Sequence, residues 1–432
     1  MRFVIATADY SGLGFAVRLQ DEGHEVILAT NPPETALSDP ECLRRYELVG
    51  QNMVPKARLR ELMERRADFQ DAYWIWDHNH SVAENEELRA AGFKVLGGGE
   101  YANRMEHDRA ACLEQTAVYG LLAPPTVRFE NTPDAIRFCE QHKRTAYVYK
   151  PDEGAHHETF LPESEDPVEA NEELRLQLAS IEPNCAFILQ ERKEGVETNV
   201  EVWFVDGDPV FAFMTLEAKK RYALDMGELI GCAFDFAFVV PLDCKAVRES
   251  VGKLFPFYKT MKYTGFGDAN FIASRDGVWF FEKCERFGYN AHPNLLFNLS
   301  TRGVGEVLAS LIDKTIRPEF SGGFGATVTM MTKENPAGDK PIMFPPRLWP
   351  DIFWWDVYKR DDLYLTAGYD ADGYVLVVNG YGYTIPTAWE NVAKKAAQIR
   401  FPYRNYRPDG AGVDYPSSPM RRYEALRAMD YI

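Results

Sequence analysis

Residues 265–290 read GFGDANFIASRDGVWFFEKCERFGYN and indicate the architecture more clearly than any other part of the chain. Two largely apolar runs flank Asp276-Gly277, a dipeptide typical of the turn between antiparallel strands. Such a hairpin would bring Asn270 and Glu282 together on one face of a sheet. Their oxygen atoms suit magnesium, which proteins often bind through one or two carboxylates plus nucleotide phosphates. A hairpin with ordinary surface charges explains the same spacing and stays open at this point.

The first hundred residues follow a different pattern. An apolar strand at 2–6 leads through a turn containing Gly12 and Gly14 into a helix, and a second strand follows at 25–29. This order predicts an open parallel, Rossmann-like sheet. Later segments alternate helices with antiparallel hairpins, so we expect an α/β and α+β multidomain protein. The predicted domains are an N-terminal α/β domain at 1–100, a central domain at 101–320 and a C-terminal α+β lobe with its tail at 321–432.

The chain is acidic, with 48 Lys and Arg residues against 65 Asp and Glu residues and a net charge of −17. This charge argues against nucleic acid and anionic membranes as partners, yet it allows a small basic cleft for a small anion. The apolar run after Arg2 is shorter than a secretory signal requires, and no run approaches the ~18 apolar residues of a membrane helix. We therefore expect a cytoplasmic protein, either a monomer or a small homo-oligomer.

Several segments stand in a characteristic order around the hairpin. AYVYK at 146–150 precedes FILQERKEGVETN at 187–199, and both precede YTGFGDANF at 263–271 and FFEKCERFG at 280–288. RAAGFKVLGG at 89–98 and YRPDGAG at 406–412 lie outside them. In this order and spacing the chain resembles the ATP-grasp superfamily and, within it, the phosphoribosylamine–glycine ligase family, from the N-terminal unit to near Gly412.

The resemblance implies an ATP-grasp fold with a lid at about 121–192. It also implies an ATP-dependent carboxylate–amine ligase that forms an acyl phosphate and uses ATP with Mg²⁺, or Mn²⁺ in its place. The expected substrates are small molecules: an amino acid or other carboxylate, and an amine such as phosphoribosylamine. In the named family the reaction joins glycine to phosphoribosylamine and gives glycinamide ribonucleotide, ADP and phosphate, which would place the protein in purine biosynthesis.

The resemblance also implies roles for individual residues. Lys150, Arg109 and Arg286 would serve catalysis, the first two on ATP phosphates and the third on the acyl phosphate or carboxylate. Glu282, with Asn270 from the hairpin reading, would hold the metal. The implied nucleotide contacts are Lys150, Gln190, Glu191 and Lys193, with Glu197 on the ribose hydroxyls. Lys220 and Arg221 match a basic pair near a substrate phosphate, and with Lys219 they would make the cleft locally positive.

Two further features come from the residues themselves. Gly12 and Gly14 open a helix whose N-terminal amides could receive a substrate phosphate, although a tight turn explains them equally well. The sequence Asp77-His78-Asn79-His80 follows a strand, and we interpret it as a hydrogen-bonded surface loop rather than a metal site. Thr387 with Glu390 predicts a capping box before a helix at 388–399.

The chain departs from the family pattern at several positions. Arg109 replaces a lysine, and PDEGAHHETFLPE at 151–163 replaces a Gly-rich loop, with Gly154 as its remnant and His156 and His157 as candidate substitutes. Cys284 replaces an asparagine beside the metal glutamate, so Asp268, Asn270 or Glu285 would have to compensate. The substrate segments at 226–231 and 288–291 also differ. These departures keep two alternatives open: a ligase for a different amino acid or amine, and a non-catalytic nucleotide-binding homologue.

Overall fold

A computed structural model describes residues 1–151, 159–316, 319–332, 338–413 and 415–432. Within the first of these ranges the N-terminal strands form a parallel sheet with the order β3-β2-β1-β4-β5. The strands are β1 (Arg2–Thr7), β2 (Glu25–Thr30), β3 (Lys56–Arg58), β4 (Tyr73–Trp76) and β5 (Lys94–Leu96). The helices are α1 (Leu13–Asp21), α2 (Glu34–Ser38), α3 (Pro40–Leu48), α4 (Leu59–Glu64) and α5 (Val82–Ala90). The parallel sheet predicted from the opening residues is therefore confirmed.

Alternation along the strands explains why this sheet is covered on both faces. Val4 and Trp74 pack into one apolar cluster, whereas Phe3 and Ile5 pack into another on the opposite side. Parallel sheets usually show this double burial because their connections cross both faces. Strand β1 lies between β2 and β4, so the chain winds outwards from β1 in both directions. The loops after β1 and β4 meet where the winding reverses, the position at which open α/β sheets usually bind ligands.

Two helices lead from this sheet to a small antiparallel sheet with its own core. The helices are α6 (Glu100–His107) and α7 (Arg109–Val118). The small sheet has the order β6-β8-β7 and consists of β6 (Thr126–Phe129), β7 (Tyr147–Pro151) and β8 (Phe187–Glu191). Helices α8 (Thr132–Gln141) and α9 (Pro167–Ala179) cover one face through a separate cluster that includes Leu174, Leu178 and Phe187. The small sheet and its two helices thus have a hydrophobic core of their own.

A large antiparallel sheet forms the centre of the molecule. Its first strands are β9 (Val196–Val205), β10 (Asp208–Thr215), β11 (Ala218–Tyr222), β12 (Met226–Val239), β13 (Gly265–Ser274) and β14 (Gly277–Glu282). The accompanying helices are α10 (Lys245–Glu249), α11 (Phe255–Met261), α12 (Ala291–Pro293), a π-helical turn (Asn294–Leu299) and α13 (Val304–Ile312). Short 3₁₀ turns occur at Arg66–Phe69, Ala223–Asp225, Val251–Leu254 and Pro346–Asp351.

The C-terminal strands extend the same large sheet. They are β15 (Phe324–Thr332), β16 (Pro341–Ile342), β17 (Ile352–Trp354), β18 (Val357–Arg360), β19 (Leu363–Thr366), β20 (Tyr374–Gly382) and β21 (Arg404–Asn405). The order is β14-β13-β9-β10-β12-β15-β20-β17, with β11 on β12 and β21 on β15, while β16, β19 and β18 form a separate small sheet. Helices α14 (Ile385–Ala396) and α15 (Pro419–Ala428) complete this part. Because β12 pairs with β15, the sheet runs across residue 320, where the sequence predicts a domain boundary.

Two local findings refine the sequence expectations. Helix α14 begins three residues earlier than predicted, because the capping box is formed by Thr384 and Thr387 rather than by Thr387 and Glu390. Among the described residues, none of the helices has both the length and the apolar character that a membrane span requires.

Gly14 gives a test of the packing between the N-terminal sheet domain and the C-terminal part. A Cβ atom at Gly14 would lie 2.4 Å from the ring of Phe353, which is 1% exposed. We expect Gly14→Ala to destabilise the protein by about 1–3 kcal/mol through overpacking, offset by up to ~1 kcal/mol of helix propensity. Urea denaturation would measure the change. Gly322→Ala is the matched control, since its Cβ would have no neighbour within 4 Å, and equal stability of the two variants would contradict the packing described.

Candidate active site between the small and large sheets

Strands β9, β13 and β14 form the polar floor of a cleft. The pairing of β13 with β14 places Asn270 opposite Glu282, and the pairing of β9 with β13 places Asn199 opposite Asn270. The Thr215 hydroxyl donates to Asn199 Oδ1 at 2.8 Å and fixes that amide. The structure therefore brings Asn270 and Glu282 together, as the hairpin signal predicts.

Lys150 projects from the small sheet toward this floor. Its Nζ donates to Gln190 Oε1 at 2.9 Å and lies 4.9 Å from the centre of the Phe281 ring. Burial lowers the pKa of Lys150 to about 8, although the nearby Glu282 carboxylate opposes the shift. The charges of strand β7 and strand β14 thus interact across the space between the two sheets.

A second group of charges lines the other side of the cleft. Lys219 Nζ lies 3.3 Å from Glu197 Oε1 and 4.0 Å from Glu217 Oε2. Burial acts against the charged form of Lys219, but the carboxylates of Glu197, Glu282 and Glu217 together raise its pKa. The coulombic attraction of Lys219 lowers the pKa of Glu197, whose side chain is still 53% exposed at the mouth of the cleft. Both partners are ionised, and Glu197 remains accessible to a ligand.

Arg422, on the C-terminal helix α15, also lines this cleft. It is 8% exposed, and its guanidinium donates to the carbonyl of Glu217 at 2.7 Å and to the carbonyl of Glu197 at 3.3 Å. Nε is buried with no hydrogen-bond partner among the described residues. Sequence reasoning missed this residue because it lies beyond Gly412, where the family resemblance ends.

We expect Arg422→Ala to destabilise the protein by about 1–3 kcal/mol, since the backbone carbonyls of Glu197 and Glu217 lose a charged donor. Urea denaturation would measure the change. The neighbouring exposed residue provides the control, and Arg421→Ala should be as stable as the parent. Equal stability of the two variants would show that Arg422 does not hold helix α15 against the cleft.

Arg109 begins helix α7 close to Lys150. Its charge lowers the pKa of Lys150, and its Nη1 is buried without a hydrogen-bond partner among the described residues. A buried donor with no acceptor is costly, and an anionic ligand would satisfy it. Arg109 and Lys150 thus lie close together, as predicted, and Arg109 Nη1 is a donor that a ligand could use.

The donor set near Glu282 has the chemistry that magnesium uses. Glu282 supplies a carboxylate, and Asn270 donates its amide nitrogen to Asp268 at 2.8 Å, which leaves the amide oxygen for a cation. Within the described ranges no group of three or more His, Cys, Asp or Glu side chains is arranged to hold a metal. One carboxylate and one amide oxygen fit a Mg²⁺ ion that takes its remaining ligands from phosphates and water.

Two other carboxylates do not compensate for Cys284. Asp268 accepts hydrogen bonds from the Cys284 backbone amide and from Asn270, and it is 3% exposed. Glu285 is 1% exposed and pairs with Lys283 on the opposite side of the strand end. Glu285 Oε1 is held by Lys283 and Tyr258, while Glu285 Oε2 is buried without a partner among the described residues. Because both carboxylates are buried and engaged within the protein, Glu282 and Asn270 are the better candidates for metal ligands.

Gln190, Glu191 and Lys193 lie where the chain passes from the small sheet to the large one. Gln190 is 3% exposed, while Lys193 Nζ pairs with Glu191 Oε1 at 2.6 Å and lies 4.5 Å from the Trp279 ring centre. The segment between β8 and β9 is short, so its backbone connects the two bodies directly. Gly154, His156 and His157 lie outside the described residues.

Arg286 lies beyond the hairpin in a second polar group, beside the N-terminal sheet. Its Nε donates to Glu106 Oε1 at 2.7 Å, and its guanidinium lies 5.2 Å from the Tyr289 ring centre. Glu106 also accepts a hydrogen bond from Asn79 Nδ2 at 2.8 Å. The contact joins residues 180 positions apart in sequence, which explains why sequence reasoning missed Glu106.

The interpretation of residues 77–80 as a surface loop is wrong. Asp77 is 2% exposed and Asn79 is 6% exposed, because the loop lies at the carboxyl end of β4 beneath the loop after β1. Ser11 Oγ donates to Asp77 Oδ2 at 2.9 Å, and His78 Nε2 lies 3.5 Å from Asp9 Oδ2. We call Asp9, Asp77, His78, Asn79, Glu106 and Arg286 the switch-point cluster, after the reversal of winding at which they meet.

The four remaining predicted substrate residues make contacts within the chain. Gly14 packs against Phe353, and the backbone of Gly12 lies against the Asp77 carboxylate. Lys220 donates to the carbonyl of Gly227 at 3.0 Å. Arg221 is 8% exposed, donates twice to the carbonyl of Asp372 at 3.0 Å and pairs with Glu228. The structure brings none of these four side chains or backbones to the cleft of Lys150 and Glu282.

Solved structures share this arrangement over nearly the whole chain. The phosphoribosylamine–glycine ligase of Thermotoga maritima is similar at 16% identity and a TM-score of 0.67, over 95% of this chain and 100% of that chain. The biotin carboxylase domain of 2-oxoglutarate carboxylase from Hydrogenobacter thermophilus, in complex with MgADP, ADP and bicarbonate, matches at 12% identity and a TM-score of 0.61, over 93% and 91%. N5-carboxyaminoimidazole ribonucleotide synthetase from Thermus thermophilus matches at 11% and 0.57, over 92% and 98%.

No protein-family model matches the chain, and no curated protein matches it in sequence. The chain has a parallel N-terminal sheet, a small antiparallel sheet and a large antiparallel sheet, and these solved structures match it over nearly its whole length. At such identities the similarity concerns the fold. The chain has the ATP-grasp fold.

Proposed function

We propose that the protein is an ATP-dependent ligase that joins a carboxylic acid to an amine through an acyl-phosphate intermediate. The observation that supports this most strongly is the convergence of Lys150, Lys219, Arg109 and Glu282 on one cleft between the small and large sheets. Transfer of a phosphoryl group needs little protein covalent chemistry. It needs positive charge and alignment where the negative charge develops, and this cleft supplies both.

The reaction has two steps. In the first, a carboxylate oxygen attacks the γ-phosphorus of ATP, the bond to the β–γ bridging oxygen breaks, and ADP leaves. In the second, the amine nitrogen attacks the acyl carbon, the carbon–oxygen bond to phosphate breaks, and the nitrogen loses a proton. The products are an amide, ADP and inorganic phosphate.

The residues divide this work by position. Lys150 holds the phosphates from the small sheet, Arg109 from the start of helix α7, and Lys219 from the large sheet. Glu197, half exposed at the mouth, accepts the ribose hydroxyls, while the backbone between Gln190 and Lys193 receives the adenine. Glu282 and Asn270 would hold Mg²⁺, which neutralises phosphate charge when bound. Arg286, four residues after Glu282, orients the acid.

The same observations support two alternatives. The first is a ligase that uses a different acid or amine, because the similar structures include both a phosphoribosylamine–glycine ligase and biotin carboxylases. The substitution at Cys284 favours a second candidate, a protein that binds nucleotide without turnover, because a thiol is a poor magnesium ligand.

Release of ADP separates these candidates. The purified full chain would be mixed with MgATP and a panel of amino acids and bicarbonate, with and without amines that include phosphoribosylamine. The proposal expects ADP only when an acid is present, and amide only when the amine is added. Tight binding of ATP with no ADP in any mixture would reject the ligase and favour the nucleotide-binding candidate.

A further inference from the structure

We propose that the amine substrate of this enzyme carries no phosphate group and that the switch-point cluster binds it as an unphosphorylated, positively charged amine. This ammonium group passes one proton to a carboxylate of the cluster before its nitrogen attacks the acyl carbon. The inference rests on the proposed ligase function and specifies one of its two organic substrates. It follows from three features: the occupation of both predicted phosphate positions, the charge balance of the cluster, and its unpartnered acceptors.

The first predicted phosphate position is the N-terminus of helix α1. The chain's own carboxylates lie there: Asp9 Oδ1 accepts from the Ser11 amide at 3.0 Å, and Asp77 Oδ2 accepts from the Ser11 hydroxyl at 2.9 Å. A Cβ atom at Gly12 would lie 2.8 Å from Asp77 Oδ2, so the carboxylate is in contact with the turn itself. A phosphate at this helix end would meet two carboxylates where it needs amides.

The second predicted phosphate position is the basic pair Lys220 and Arg221. Arg221 gives its two terminal nitrogens to the carbonyl of Asp372 and pairs with Glu228. Lys220 donates to a backbone carbonyl in the β11–β12 hairpin. Both cationic side chains are bound to groups of the chain itself, so neither is available to pair with a substrate phosphate.

The charge balance of the switch-point cluster favours a cation. Asp9, Asp77 and Glu106 are carboxylates, and Arg286, the one cluster residue with a fixed positive charge, is bound to Glu106. Burial lowers the pKa of His78, which favours its neutral form. Burial raises the pKa of Tyr289, and the carboxylates of Asp9 and of Asp370, which lies outside the cluster, add to that shift against the charge of Arg286.

Acceptors without partners point to a ligand at this place. Asn79 Oδ1 is buried and accepts no hydrogen bond within the described parts of the chain, and Asn79 is only 6% exposed. Burial lowers the pKa of His80, so its neutral ring adds one buried acceptor nitrogen. The Asp77 carboxylate, in a residue that is 2% exposed, receives neutral hydroxyl donors from Ser11 and Thr7. Buried acceptors are costly when unsatisfied, and an ammonium group with its three donors would satisfy them and pair with the Asp77 carboxylate. Asp9, 39% exposed, is the side of the cluster that solvent reaches.

Matched pairs of amines test the inference directly. Ethanolamine and O-phosphoethanolamine, and glucosamine and glucosamine 6-phosphate, would be titrated into the full chain by calorimetry in the presence of MgADP, and then compared as amines in the ADP-release assay. We expect the unphosphorylated member of at least one pair to bind, and its phosphorylated partner to bind about tenfold more weakly or not at all. Equal or tighter binding of the phosphorylated member, or no binding by any of the four, overturns the inference.

Variants locate the effect. Asp9→Asn removes one carboxylate from a partly exposed position, and it should weaken the unphosphorylated amine and narrow the difference within the pair. Asp71→Asn is the control, because that carboxylate is 73% exposed and lies before β4, at the opposite end of the same sheet. An unchanged preference in Asp9→Asn would place the amine elsewhere and contradict the inference.

The two proposals fail in different ways. Turnover with a preference for phosphorylated amines would leave the ligase standing and remove the inference. Preferential binding of unphosphorylated amines without ADP release from any acid would reject the ligase and leave the cluster as an amine-binding site without turnover.

Discussion

Replacing Lys150 with methionine is expected to lower ATP-dependent ADP release by about 10²–10³-fold, the usual cost of removing one preorganised charge from a reacting group. Lys150 brings a positive charge from the small sheet to the cleft of Glu282, and its ammonium nitrogen lies 4.9 Å from the centre of the Phe281 ring. Methionine has an unbranched apolar side chain of similar length and no charge, so the loss reports the ammonium group. Steady-state kinetics with varied MgATP would measure it.

The control for Lys150 comes from the same small-sheet unit. Lys143 is exposed after helix α8, and Lys143→Met should leave ADP release at the parent level. If the Lys150→Met protein folds as the parent does and retains full turnover, the phosphates do not lie between the two sheets.

Replacing Glu282 with glutamine is expected to reduce turnover by about 10²-fold or more and to raise the Mg²⁺ concentration needed for half-maximal activity. Glutamine keeps the size of the side chain but removes its charge, and Glu282 is the carboxylate that stands opposite Asn270. Loss of this charge also removes the carboxylate that opposes the lowered pKa of Lys150. Titration of activity with MgCl₂ at fixed ATP separates a metal effect from a general loss.

Glu306→Gln provides the comparison for Glu282. Glu306 lies on helix α13, with its side chain 58% exposed, and pairs with Arg302. The Glu306→Gln variant should need the same Mg²⁺ concentration for half-maximal activity as the parent. If Glu282→Gln also needs that same concentration, Glu282 is not a metal ligand.

The sequence predicts those parts of the site that depend on residues close together in the chain. The Asp276-Gly277 turn sets the register of its own hairpin as far as Phe271 opposite Phe280, so the approach of Asn270 to Glu282 is predictable from local residues. The exact pairing of Asn270 with Glu282 comes from a bulge beyond that point, which the turn does not predict. The opening β-turn-α-β pattern likewise predicts a parallel sheet, because a helix connects the two strands. The alternation of Phe3 and Ile5 with Val4 then assigns each residue to one face of that sheet.

The remainder depends on contacts between distant parts of the chain. Arg422 reaches the carbonyl of Glu197 over 225 positions, and Arg286 reaches Glu106 over 180, so neither pair has a local pattern. The polar composition of residues 77–80 indicates a surface loop, yet Asp77 and Asn79 are buried because ligand-binding ends of parallel strands are built from polar loops that cover one another.

The glycines before helix α1 illustrate a further limit. The turn with Gly12 and Gly14 could bind a phosphate or could allow close packing of other residues. The sequence of the turn does not distinguish these two explanations. The structure places the Phe353 ring against Gly14 and the Asp77 carboxylate against Gly12. Both neighbours come from strands that follow much later in the chain, so the outcome was set by the tertiary fold.

Transfer of an isotopic label from the acid to phosphate tests the central claim most directly. The full chain would be incubated with MgATP and carboxylic acids labelled in both carboxylate oxygens, with hydroxylamine present to trap the activated acid. The account predicts that one acid releases ADP, forms a hydroxamate and transfers one labelled oxygen to inorganic phosphate. ATP binding without ADP from any acid, or ADP release with no label in the phosphate, would contradict an acyl-phosphate ligase.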